Sequence, residues 1–96
     1  MITVRIEHPV KSFESWKGAF DADPVDRRGS GVRRYQIFRP IDDPAFVMID
    51  LDFDSESEAA NFLTAMRRVW KSPQAAPALD GEPRARMVQA EETMSL

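Results

Sequence analysis

Apolar and polar residues alternate strictly along ITVRIEH, with Ile2, Val4 and Ile6 on one side and Thr3, Arg5 and Glu7 on the other. A period of two predicts a strand with two unlike faces, and Pro9 closes it. The alternation returns in FVMIDLDFD (46–54), where Val47, Ile49, Leu51 and Phe53 form one row. The opposing row, Phe46, Met48, Asp50, Asp52 and Asp54, passes from apolar to acidic along its length. VRRYQIFR (32–39) is rich in β-formers and ends at Pro40, so PIDDP joins it to the 46–54 strand as a hairpin with a longish loop. RARMVQAEE (84–92) predicts a fourth strand.

Two segments carry the longer period of a helix. In SFESWKGAF (12–20), Ser12 is a natural N-cap, and Phe13, Trp16 and Phe20 fall on one stripe. In SESEAANFLTAMRRVWKS (55–72), Ser55 and Glu58 have capping-box spacing. Ala59, Phe62, Leu63, Met66, Val69 and Trp70 then make an apolar face, which Pro73 ends. DADPVDRRGSG (21–31) reads as a loop, and PQAAPALDGEP (73–83) as a connection holding one helical turn.

The order β–α–β–β–α–β is that of the ferredoxin-like split βαβ arrangement, an α+β fold. Right-handed crossovers give a four-stranded antiparallel sheet with the first and third strands central and both helices on one face. Val4, Ile6, Val47, Ile49, Leu51 and Phe53 then lie under the helices. Thr3, Arg5, Glu7, Phe46, Met48, Asp50 and Asp52 lie on the open face. Arg5 falls near Asp50 or Asp52 across the ladder, and either register of the second strand brings Arg33 or Arg34 to the acids. Arg84 or Arg86 approaches from the fourth strand.

Composition narrows the partners. The 96 residues are 43% hydrophobic and 30% charged, the balance of one globular domain, expected over 1–92 with a short tail at 93–96. A formal net charge of −3 argues against a nucleic-acid partner. No apolar run reaches the roughly 20 residues of a membrane span, and the first residues do not read as a signal peptide. With no cysteine in the chain, a cytoplasmic protein is expected.

The opening HPVKSFESWKGAF, the hairpin RPIDDPAFVMIDLDF and the helix start SESEAANFL resemble the small dimeric α/β-barrel superfamily. That group includes antibiotic-biosynthesis monooxygenases, polyketide cyclases and uncharacterised bacterial proteins. The resemblance spans nearly the whole chain and implies a homodimer through the open sheet face. A chamber between the two faces would shelter Asp50 and Asp52 at one end and be lined by Phe46 and Met48 at the other. It also implies a monooxygenase or cyclase working without a cofactor on a small aromatic ligand. Such monooxygenases use Trp, Tyr, Asn and Arg, and this sequence offers Trp16, Tyr35, Trp70, Arg33 and Arg34. Both tryptophans fall on apolar helical stripes that suit core packing, so the chain departs from that polar constellation. Asn61, the only asparagine, lies on the polar side of the second helix.

Candidate chemistry follows from residue type. His8 is the single histidine and the natural general base, although its parity aims it at the first helix. Asp50 is a second candidate, since a sheltered carboxylate serves as a base where desolvation outweighs a neighbouring arginine. Arg34 or Arg33 would anchor a developing charge, with Tyr35, Phe46 and Met48 as walls of the substrate site. One histidine and no cysteine leave no zinc set, and no metal is expected. Glu7, Asp50 and Asp52 read as an ion-pair network with the arginines. DRRGSG (26–31) is the best anion-binding loop, and Arg67 and Arg68 sit on the flank of the second helix near its C-terminus. The competing reading is a non-catalytic ligand-binding or assembly protein whose chamber is filled by its own ion pairs.

Overall fold

The computed structural model describes residues 1–73 and 75–96. Its elements are β1 (Ile2–Pro9), α1 (Phe13–Asp21), β2 (Val32–Phe38), β3 (Phe46–Phe53), α2 (Glu56–Trp70), a short 3₁₀ turn (Ala76–Ala78) and β4 (Arg84–Gln89). The strands form one antiparallel sheet in the order β2-β3-β1-β4, the ferredoxin-like arrangement read from the sequence. The helical turn expected within 73–83 is the one at Ala76–Ala78, while Gln74 lies outside the described residues.

The central register fixes which side chain meets which. Val4 pairs with Leu51 and Ile6 with Ile49, so apolar residues oppose apolar ones under the helices. Thr3 pairs with Asp52 and Arg5 with Asp50 on the open face. Trp16 of α1 and Ala59, Phe62 and Leu63 of α2 close over the inner rows to make one core with Val47 and Phe53. Burying such side chains contributes roughly 1.5–3 kcal/mol apiece.

Local chemistry sets the helix starts. Ser12 Oγ accepts from the Ser15 N–H at 3.1 Å, and Ser55 Oγ accepts from the Glu58 N–H at 3.2 Å. The capping box is modified: Glu58 Oε1 accepts from the Ser55 hydroxyl at 3.1 Å. Glu58 also packs against Gly31, which has φ 101°, and a Cβ there would meet its carboxylate at 2.5 Å. Glycine is therefore favoured at 31 by its backbone conformation, and a side chain there would also displace the Glu58 carboxylate. Between Val32 and Arg34 the β2–β3 ladder shifts register, leaving Arg33 as an extra residue.

Candidate functional site

The sheet separates two unlike environments. On the helix side, a cavity of about 490 Å³ lies between the inner face of the sheet, both helices and the segment around Ala78 and Leu79. That size falls within the roughly 300–1,000 Å³ of small-molecule sites. The walls include Ile49 and Leu51 from β3, Trp16 and Phe20 from α1, and Met66 and Trp70 from α2. Small side chains at Ala19, Ala22 and Ala78 leave the space open. Phe13, Trp16 and Phe20 stack along α1, with ring centroids 5.8 and 5.1 Å apart.

His8 reaches this cavity from the end of β1 and is 1% exposed. Its Nδ1 lies 2.9 Å from the Pro9 carbonyl oxygen, which only accepts, so Nδ1 carries the proton. The same carbonyl accepts from the Asp80 N–H at 3.3 Å, tying the cavity's closing segment to the strand. In this tautomer Nε2 is a lone-pair acceptor. Among the described residues no hydrogen bond to it is found. His8 is among the side chains that line the cavity. Burial pushes the His8 pKa below its ordinary value of 6.5, and the Pro9 contact opposes this only in part. The ring is neutral at neutral pH and lines a largely apolar cavity.

The open face is built from paired charges. Arg5 Nε and Nη2 donate to the two carboxylate oxygens of Asp50, both at 2.9 Å. This hydrogen bonding, together with the charge of Asp50, raises the Arg5 pKa further. Asp52 is 8% exposed and accepts from the Thr3 hydroxyl at 2.6 Å and from Arg34 Nε at 3.0 Å. Phe38, Phe46 and Met48 continue this face beyond the charges, with Phe38 paired to Met48 across the ladder.

The sequence candidates gathered around one chamber are thus divided by strand parity. His8 lies on the helix side. Arg34, Asp50, Phe46 and Met48 lie on the open face. Tyr35 pairs with Leu51 and points to the helix side, its ring 5.1 Å from Phe20, which places it behind a cavity wall. Arg33, displaced by the register shift, bonds Asp54 at 2.7 Å on the exposed rim. The cavity beside His8 is therefore bounded by helices, as the parity of His8 led one to expect, and Arg34, Asp50, Phe46 and Met48 lie across the sheet from it.

DRRGSG is closed to anions by its own acid. Asp26 Oδ1 accepts from the Gly29 N–H at 3.2 Å and the Asp26 carbonyl from the Ser30 N–H at 2.8 Å. Arg27 folds inward, its guanidinium carbon 3.9 Å above the Phe20 ring and Nη1 donating to the Phe20 carbonyl at 2.6 Å. Arg27 and Arg68 both line the cavity, a placement that sequence reading missed. The available signal was the pairing of an aromatic stripe on α1 with alanines at 19 and 22, which leaves a gap under a short helix. Asn61 is exposed. Among the described residues no three His, Cys, Asp or Glu side chains are grouped to hold a metal, and no helix is long and apolar enough to cross a membrane.

This fold is shared with solved structures described as antibiotic biosynthesis monooxygenases and cofactor-independent oxygenases. SnoaB, a cofactor-independent oxygenase from Streptomyces nogalater, is 12% identical over 97% of this chain and 95% of its own, with a TM-score of 0.70. The ActVA-Orf6 monooxygenase of Streptomyces coelicolor, solved with the ligand nanaomycin D, is 14% identical over 99% and 91%, with a TM-score of 0.67. A dimeric ferredoxin-like protein from an uncultured marine organism is 10% identical over 97% of both chains, with a TM-score of 0.65. At these identities the likeness is one of fold. No protein-family model matches the sequence, and no curated protein does.

Proposed function

We propose that the chain is a cofactor-independent oxygenase of small phenolic aromatics that works in the helix-side cavity, with His8 as the proton acceptor. The observation that carries this reading is the neutral, tautomer-fixed imidazole of His8 in the lining of an apolar cavity of ligand size. The neighbours described as monooxygenase and cofactor-independent oxygenase support it. A phenol hydroxyl donated to Nε2 becomes a phenolate, and its negative charge offsets the cost of forming a buried imidazolium. Loss of the proton makes the ring electron-rich toward dioxygen. One oxygen atom enters the ring and the other leaves as water, so phenol and dioxygen give a quinone and water. The apolar walls keep bulk water from competing for the charged intermediates.

The test is aerobic incubation with 1,5-dihydroxynaphthalene, following oxygen uptake and the hydroxynaphthoquinone together. One dioxygen consumed per quinone is expected. His8→Asn keeps a donor for the Pro9 carbonyl but removes Nε2, and a loss of roughly 10²-fold or more in rate is expected for a general base. Binding without oxygen uptake in the wild-type protein would favour the non-catalytic ligand-binding reading. The open face, with Phe38, Phe46 and Met48 beside its ion pairs, is in this proposal the surface on which a second copy packs. The dimeric neighbour supports that arrangement, and the native mass by light scattering tests it.

A further inference from the structure

Every acidic side chain is absent from the lining of the helix-side cavity, although the chain holds 16 acids against 13 bases. The only charged residues there are Arg27 and Arg68. Resting on the proposal that this cavity takes an aromatic ligand, we infer that the ligand is an aromatic carboxylate, its ring among the apolar walls and its carboxylate on Arg68.

The two arginines are not equivalent. Arg27 is already committed: it donates to the Phe20 carbonyl, lies over the Phe20 ring, and has Asp23 Oδ1 3.5 Å from Nη1. Its charge biases the site without being free for a new bidentate contact. Arg68 is exposed, stands in the last turn of α2, and takes part in none of the ion pairs among the described residues. On the open face Arg5, Arg33 and Arg34 each have a carboxylate, while Arg84 and Arg86 of β4 are in none of the ion pairs among the described residues. Arg68 at the cavity rim has none. A guanidinium matches a carboxylate with two parallel N–H···O bonds, and the apolar wall on one side lowers the screening of that pair. A neutral aromatic fills the same walls but leaves Arg68 in water, gaining nothing from it. The inference thus names a chemical class, an apolar ring system with one anionic substituent.

Calorimetric titration with 2-naphthoate and with 2-naphthol tests it, using the wild-type protein and Arg68→Gln, a change at an exposed position that leaves the core intact. Naphthoate is expected to bind roughly tenfold more tightly than naphthol, the effect of one charge-assisted contact. In Arg68→Gln that preference should vanish while naphthol affinity stays unchanged. Equal affinities in the wild-type protein, or a preference that survives in Arg68→Gln, would overturn the inference and leave the cavity reading standing. Failure of both ligands to bind would remove the cavity reading and this inference with it.

Discussion

Strands β1 and β3 show two surfaces built on one backbone, and the two surfaces handle polarity in opposite ways. On the helix side the polar group of the two strands is His8, kept neutral, with Nδ1 bonded to the Pro9 carbonyl and the ring in the cavity lining. On the open side polarity comes as full charges, and each central carboxylate meets its own donors: Asp50 has Arg5, and Asp52 has Thr3 and Arg34. The difference follows from solvent. Burying a charge without a partner costs several kcal/mol, so the enclosed side holds a group that can give up its charge. The open side can hold ions because water and partners share the burden. In the proposed function the proton acceptor therefore lies on the helix side, while the acids of the open side are held by their own donors.

Four substitutions sharpen or break this contrast. Phe53→Ala removes a fully buried ring packed 5.3 Å from Phe62 and should cost about 3–5 kcal/mol in urea unfolding. Arg5→Ala, on the same strand pair but facing outward, should cost at most about 1 kcal/mol. Similar costs for the two would erase the distinction between the faces. Asp52→Ala lies between them, because it strips the Thr3 hydroxyl and Arg34 of their acceptor in a nearly closed spot, and about 1–3 kcal/mol is expected. Arg33→Ala on the rim should change stability by no more than about 0.5 kcal/mol.

Acid provides another lever. The folded His8 pKa is depressed below 6.5 by burial, so below that pH the unfolded chain binds a proton that the folded chain does not. Stability is therefore fully present above about 6.5 and declines as the pH falls toward the depressed folded value. His8→Asn, unfolded by urea at several pH values, should flatten that part of the profile. An unchanged slope would mean that His8 is not held neutral.

Much of the fold was legible because its signals are periodic. Two alternating strands, two capped helical stripes and the hairpin between Pro40 and Pro44 fix the order of elements, and parity puts Arg5 on the face of Asp50 and Asp52, leaving the register to choose between them. The site was harder to read. Cavity shape depends on what is missing from a packed layer, and Trp16 and Trp70 on an apolar stripe look alike whether they fill a core or wall a cleft. Arg33 illustrates a second limit: a one-residue shift at the start of β2 moves it out of the ladder and leaves Arg34 on Asp52. Arg27 was noticed for its loop, yet its direction depends on a contact with Phe20 seven residues away in sequence.

The measurement that bears most directly on the contrast is nitrogen-15 NMR of the lone imidazole and of the backbone amides during titration with 2-naphthol at neutral pH. The account predicts a neutral Nδ1–H tautomer before ligand is added, then a large shift at His8 Nε2 with changes along Trp16, Phe20 and Met66. The amides of Thr3, Arg34 and Asp52 should stay still. A charged imidazole at the outset, or shifts concentrated on the open face while Nε2 is unmoved, would contradict it.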